Sequence, residues 1–377
     1  MLRPTPPWSA SPASFGSAAC ARWGRQGSFL RPEPQLALPS ILVVMRRVRF
    51  APSPTGSLHL GNALTAVANR AFGDWMLLRI DDTDPKRVVP GGEEAIVRDL
   101  RWLGITWEEG PVRQSERHER YRQAASRLGD RFDGITLLRP DGTATYHLAS
   151  VVDDIDFQIT HVIRGADHRP NEVLHRRLHQ ALGSEPPQYI HHGLILGPDG
   201  RKLSKRHGPA SIADLREAGI PAHAVRAYLE ELDLPRHDVR VDFARIRRLA
   251  METLAAMSDE TLAALLGVPA RVIPAVRGAR DLKEAREYAQ LILSPPPPVE
   301  VDARPTLERF LELRAGACDQ LDAEAARALV GELKAVGADL RALRLALTGR
   351  ERGPELWAIL VALPRHEALR RVERALR

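Results

Sequence analysis

The stretch from Arg49 to Asn62, Arg-Phe-Ala-Pro-Ser-Pro-Thr-Gly-Ser-Leu-His-Leu-Gly-Asn, limits what this chain can fold into more than any other. Arg47-Val-Arg-Phe-Ala reads as the end of a strand, with a β-branched residue and an aromatic. Pro52 and Pro54 then stop both ladder and helix, since neither can donate a backbone hydrogen bond. Thr55-Gly56-Ser57 offers turn chemistry and a candidate N-cap. From Leu58 onward Leu60, Leu64, Val67, Ala68, Ala71 and Phe72 recur at helical spacing. His59 and Gly61 therefore fall in the first turn of a helix that follows a strand. Free N–H groups and the positive dipole end favour an anion there. A bare Gly61 lets a flat or charged ligand approach the backbone. The same pattern also suits a capped helix with an incidental histidine.

A second segment carries comparable chemistry. Tyr189-Ile-His-His-Gly-Leu-Ile-Leu196 reads as a buried strand, and Pro198-Asp199-Gly200 as a turn. Arg201, Lys202, Lys205 and Arg206 follow, bounded by Gly200 and Gly208. A glycine-bounded basic loop after a strand suits a mobile cover over polyphosphate. A lysine ammonium is a point charge that can follow an oxygen as negative charge develops on it. A solvated surface loop would show the same charge run.

Together the two segments resemble the paired signatures of class I aminoacyl-tRNA synthetases: His59-Leu-Gly-Asn62 the first, Lys202-Leu-Ser-Lys-Arg206 the second. The match is closer still to glutamyl-tRNA synthetases. Phe50-Ala-Pro-Ser-Pro-Thr-Gly, Leu78-Arg-Ile-Asp-Asp-Thr-Asp84, Thr145-Tyr-His-Leu-Ala149, His161-Val-Ile-Arg-Gly-Ala-Asp-His168 and the basic loop through Gly208 are each similar to glutamyl-type segments, in the right order. The resemblance covers residues 46–377 and thins after 240, where helical composition carries it. It implies a Rossmann-like α/β catalytic domain with a parallel sheet over 46–208, then helical stem-contact (209–294) and anticodon-binding-like (295–377) regions. It implies activation of L-glutamate by ATP, with magnesium, and transfer to the 3′ end of tRNA(Glu).

Residue by residue, the resemblance gives His59 and Lys205 catalytic roles and places His59, Gly61, Asn62, Asp167, Lys202, Lys205 and Arg206 around ATP. Arg49, Ser53, Asp81, Tyr146 and Arg164 would hold glutamate, the arginines gripping its carboxylates. The family most often has Glu where Asp81 stands; the shorter acid resembles glutaminyl-type and archaeal glutamyl-type segments. Bacterial members also carry a connective segment between the two halves of the nucleotide-binding domain, often with cysteine ligands for zinc. Here Leu128-Gly-Asp130 runs almost directly into Arg131-Phe-Asp-Gly134, so that segment is expected to be largely missing near 129–134 and zinc is not expected. Two other readings fit parts of the chain: a relative that glutamylates a modified tRNA base, which would lack the helical module, and a non-catalytic tRNA-binding paralogue.

Net charge is +6, which permits an anionic partner such as RNA. Only Lys86, Lys202, Lys205, Lys283 and Lys334 among the 54 basic residues are lysines, so genome composition explains much of the basicity. No apolar run approaches the ~20 residues that cross a bilayer. Cys20 and Cys318 form no metal knuckle and imply no disulfide framework, so a reducing cytoplasm is the default, and a monomer is expected. Residues 1–45 are rich in Pro, Ser and Ala with one acid, Glu33, and cannot build a core. They are expected to be a disordered extension or to precede the true start at Met45; a transit peptide has similar composition.

Elsewhere the spacing predicts a strand over Trp75–Ile80, a helix over Glu93–Leu103 and a further helix to Leu128 capped by Ser115. A helix start at Tyr146–Asp154, a strand from Phe157 to Arg164, and a helix over Asn171–Leu182 with Val173, Leu174, Leu178 and Leu182 inward follow. Beyond Gly208 the pattern is helical almost throughout, with helices over Ala222–Leu232 and Leu282–Leu293 among others, interrupted by Pro295–Pro298.

Overall fold

The computed structural model describes residues 45–203, 208–297, 299 and 301–377, so the expectations for residues 1–44 lie outside the described residues. Strand β1 (Arg47–Phe50) leads through helix α1 (Leu60–Phe72) to β2 (Trp75–Ile80), and α2 (Gly92–Trp102) leads on to β3 (Glu109–Arg113). All three strands pair in parallel, in the order β1-β2-β3. After α3 (His118–Ala125) comes a short antiparallel hairpin, β4 (Arg131–Phe132) and β5 (Ile135–Thr136). Helix α4 (Tyr146–Asp156) then feeds β6 (His161–Gly165), and α5 (Glu172–Ala181) links β6 to its parallel partner β7 (Gln188–His192).

The two parallel ladders are joined at Thr160, whose N–H donates to the Arg47 carbonyl at 2.9 Å while its Oγ1 accepts from the Arg47 N–H at 2.8 Å. The strands thus run β3-β2-β1-β6-β7 across the domain, as in a doubly wound α/β fold. The direction of connection reverses between β1 and β6, and a ligand crevice lies at the carboxyl ends of strands at such a point. The core under this sheet gathers Val48, Met76, Leu78, Leu60, Leu64 and Leu100.

The chain continues through β8 (Ile195–Leu196), α6 (Ile212–Glu217), α7 (Ala222–Leu232) and β9 (Val239–Arg240) to α8 (Phe243–Ala256). Ile212, Val225, Leu229 and Ile246 pack into the same core as β1 and β2. A separate apolar cluster begins at Leu254 and runs to Ala375. It is built by α9 (Asp259–Leu266), α10 (Ile273–Val276), α11 (Leu282–Leu293), α12 (Arg304–Gly316), α13 (Ala323–Ala335), α14 (Leu340–Thr348), α15 (Leu356–Ala362) and α16 (Arg365–Ala375). Ile292 and Leu307, on either side of the proline-rich break, share this cluster. Buried Arg371 staples it: NH1 donates to the Leu291 and Leu347 carbonyls at 2.8 and 2.9 Å, and NH2 to that of Ile292 at 2.7 Å. Among the described residues no helix is long and apolar enough to cross a membrane.

Five local readings differ from the structure. The N-cap of α1 is His59, not Ser57. Ser115 caps no helix; its N–H and hydroxyl both donate to Asp82, and α3 begins at His118. The strand expected from Phe157 begins at His161, because α4 runs on to Asp156 and Gln158 turns the chain at φ +53°. Val173 is 68% exposed, and α5 instead turns His175, Leu178 and His179 inward. The single strand expected over 189–196 breaks at Gly193, whose N–H donates to the Pro235 carbonyl at 2.6 Å. A Cβ there would sit 2.0 Å from the His237 carbonyl oxygen, so the approach that diverts the chain to β9 requires glycine.

Candidate active site

The first signature enters the fold through a buried acid, Asp99, that no sequence motif marks. Asp99, on α2, accepts from the Ser57 hydroxyl at 2.5 Å and from the Leu58 N–H at 2.9 Å, and pairs with Arg216 at 3.2 Å. Its position on the apolar stripe with Ala95, Ile96 and Leu100 is the one signal the sequence carries. Ser57 is thereby occupied, and His59 caps α1 with extended backbone and no side-chain capping bond. His59 and Asn62 are exposed and Gly61 is half-buried, with none of the described residues within 4 Å of where a Cβ on Gly61 would lie. The start of a 13-residue helix therefore faces outward beside an imidazole that makes no capping bond among the described residues.

The second signature returns to the same place. The Ile212 N–H donates to the Leu58 carbonyl at 2.8 Å, and His59 forms an antiparallel bridge with Ser211. Leu203 is buried in the core that holds Leu58 and Leu60. Lys202 is exposed and bridges back to Leu196 across the turn at Gly200. Lys205 and Arg206 lie outside the described residues. The residues flanking them are thus held against the start of α1, although more than 140 positions separate the signatures.

At the carboxyl end of β2 lies a buried charge cluster. Arg79, 1% exposed, pairs with Asp81 at 2.8 Å, with Asp154 at 3.0 Å and with Asp153 at 3.6 Å. Burial alone would lower the Arg79 pKa, but the three carboxylates reverse this and raise it well above its ordinary value. Burial pushes the Asp81 and Asp153 carboxyls up, against the opposing pull of Arg79. Asp153 also accepts from Gln114, Arg117 and the Tyr121 hydroxyl, which knits α4 to α3. Arg49 Nε lies 3.4 Å from Asp154. A lone arginine in Trp-Met-Leu-Leu-Arg-Ile and the adjacent acids after Val151-Val152 are the sequence signs of this cluster.

Arg49, Asp81, Tyr146 and Arg164 converge around it. Burial raises the Tyr146 hydroxyl's pKa, and the charges of Arg164, Asp81 and Arg49 all act on that group. Arg164 is 5% exposed; its Nε donates to His191 Nε2 at 3.2 Å, and NH1 and NH2 have no hydrogen-bond partner among the described residues. Burial lowers the Arg164 pKa, so an anion beside its terminal nitrogens would be strongly favoured. Ser53 is half-buried in the loop between β1 and α1. Asp167 is exposed after β6, where its charge acts on His168 and on His192, which contacts Thr65 of α1 at 2.9 Å.

The histidines of α4 and α5 are core elements. His175 is buried against His147, Nε2 to Nδ1 at 3.1 Å, and burial first, then Arg164, holds its pKa down to about 2. An imidazole neutral in the fold takes up a proton on unfolding once pH drops below about 6.5. Stability is therefore full above that pH and falls as pH drops, by about 2 kcal/mol near pH 5 from this one group. Urea midpoints near pH 7 and near pH 5 should draw closer in His175→Gln than in the parent; an unchanged gap would refute this.

This geometry has close counterparts. Residues 45–131 and 129–263 match the model of the catalytic domain of class I tRNA synthetases (E and Q). The two matched stretches meet at 129–131, where the connective segment is expected to be missing. The chain is similar to glutamate–tRNA ligase 1 of Rubrobacter xylanophilus, 36% identical over an alignment that covers 87% of this chain and 97% of that protein. It is also similar to glutamate–tRNA ligase 2 of Acidiphilium cryptum, 34% identical over 88% of this chain and all of that protein (100%). Among solved structures, a glutamate tRNA ligase from Elizabethkingia meningosepticum, crystallised with its amino acid, shares the fold with a TM-score of 0.70 at 23% identity, covering 88% of this chain and 99% of that one. With the first signature at one helix start, the described residues on either side of the second held against it, a parallel sheet behind them and these likenesses spanning nearly the whole of its relatives, the chain belongs to the glutamyl- and glutaminyl-type class I tRNA synthetases.

Proposed function

We propose that this protein activates L-glutamate with ATP and transfers the glutamyl group to the 3′ end of tRNA(Glu). In the first step a glutamate α-carboxylate oxygen bonds to the α-phosphorus and the bond to pyrophosphate breaks. In the second a terminal ribose hydroxyl attacks the glutamyl carbonyl and AMP leaves. Such displacements need alignment and charge neutralisation more than covalent help from the protein.

The observation that carries this reading is the pair of buried Arg164 nitrogens without a hydrogen-bond partner among the described residues, beside Tyr146 and Arg49. Arg164 and Arg49 hold the two carboxylates, Tyr146 supports the side chain, and Ser53 and Asp81 hold the amino end. His59, Gly61, Asn62, Asp167 and Lys202 receive ATP at the start of α1, with magnesium carried on its phosphates. Lys205 follows the developing charge and Arg206 assists. The helices after 209 approach the tRNA stem and anticodon, and the protein acts as a cytoplasmic monomer without zinc.

Arg164→Ala should raise KM for glutamate at least about 100-fold, because a desolvated carboxylate loses its charged partner. KM for ATP should hardly move. An unchanged glutamate KM in a folded variant removes this reading. Charging of tRNA with radiolabelled glutamate separates the competing readings. Periodate oxidation of the terminal diol abolishes the proposed reaction, spares glutamylation of a modified base, and a non-catalytic paralogue charges nothing.

A further inference from the structure

Arg164 Nε–H can only donate, so His191 Nε2, 3.2 Å away, must be the acceptor. In the neutral ring the proton then sits on Nδ1, which faces Glu172 Oε2 at 3.5 Å. The other oxygen of Glu172 accepts from Arg176 Nε at 2.8 Å. Tyr189 stacks nearly parallel to His191, with an interplanar angle of 9°, and lies beneath both Arg164 and Arg176 at 5.0 and 4.9 Å. The imidazole is therefore held in one plane and one tautomer by groups on α5 and β7. Burial, followed by the Arg164 charge, keeps its pKa down to about 4, so the ring is neutral at working pH.

We propose that His191 is a positioning residue that occupies the inner edge of Arg164 and leaves NH1 and NH2 as a two-pronged receptor, which makes the site select a carboxylate over a carboxamide. The inference rests on the proposed role of Arg164. A carboxylate offers two acceptor oxygens to the two nitrogens. A carboxamide offers one, and its own N–H₂ meets a second donor, leaving a buried N–H unpaired. Without the His191 acceptor Nε–H is left buried and unpaired, the guanidinium is no longer held with both terminal nitrogens toward the ligand, and the two-point grip that penalises the carboxamide is lost. Nothing in the sequence pattern of Tyr-Ile-His-His distinguishes this histidine from its neighbour His192, which bonds to Thr65 instead.

The test uses the full-length enzyme with tRNA, comparing His191→Leu, His191→Gln and Arg164→Ala. His191→Leu should raise glutamate KM by roughly tenfold or more and shrink the glutamate-over-glutamine ratio of kcat/KM by a similar factor, with kcat within about threefold and ATP KM unchanged. His191→Gln retains an acceptor at similar reach and should recover most of both. A His191→Leu enzyme with parental KM and selectivity, or His191→Gln as impaired as His191→Leu, overturns the proposal. If Arg164→Ala is impaired and His191→Leu is not, only this inference fails; if neither is, the reading of Arg164 fails as well. A long-range ¹H–¹⁵N spectrum of the unaltered protein at neutral pH reads the tautomer directly, where no folding defect of a variant can interfere. The Nδ1–H tautomer is expected at His191, and the Nε2–H tautomer would refute the assignment.

Discussion

Replacing Lys205 with alanine is expected to slow glutamyl-adenylate formation on the order of 10³-fold while leaving the fold intact. The pentavalent arrangement at the α-phosphorus places growing negative charge on the departing pyrophosphate. One preorganised cationic or hydrogen-bonding partner in a site of this kind is worth about 10²–10³ in rate. The lysine belongs to a loop whose described ends are committed elsewhere: Leu203 to the core beneath α1 and Ser211 to the backbone of His59. Pyrophosphate exchange with tRNA present, alongside thermal melting, is the measurement. Normal exchange in Lys205→Ala would strip that residue of its proposed role, and a lowered melting temperature would mean that it stabilises the fold.

The second large effect is on stability. Arg79→Leu should destabilise the protein by about 3–5 kcal/mol, because it leaves Asp81, Asp153 and Asp154 buried without the guanidinium that neutralises them. That is a large part of the roughly 5–15 kcal/mol by which a domain is stable. A leucine fills much of the volume, so the cost is electrostatic, and it should shrink as the acids protonate. The deficit of Arg79→Leu against the parent, read from urea unfolding, should therefore narrow as pH falls. It should also be partly relieved by adding Asp154→Asn. A deficit below about 1 kcal/mol would show that the cluster relaxes into solvent, contrary to its burial.

Much of this is legible in the residues alone. The exposed His59 at the start of α1, the strand–helix–strand succession around it, and the helices over 222–232 and 282–293 follow from spacing and from proline placement. Such patterns are local, and a window of ten or so residues contains the physics that decides them. The errors share one cause. Ser57 and Ser115 look like caps but donate their hydroxyls to acids 42 and 33 positions away. Val173 looks inward until His175 finds His147 on another helix. Tyr189–Leu196 looks like one strand until the backbone of 235–237 takes Gly193.

Residue type and spacing were enough for most of the elements and for a candidate chemistry: a helix start suited to phosphate, a basic loop, and arginines suited to carboxylates. Which charges stay open to a ligand depended on how the chain packs. Arg79 and Arg164 both end apolar strand segments and are both almost fully buried, yet the first is surrounded by three carboxylates and the second meets one imidazole. Beyond Asp81, two positions from Arg79, that difference is set by residues such as Asp154 and His191, 75 and 27 positions distant, brought to 3.0 and 3.2 Å by the fold, and charge interactions fall off with distance in space, not along the chain.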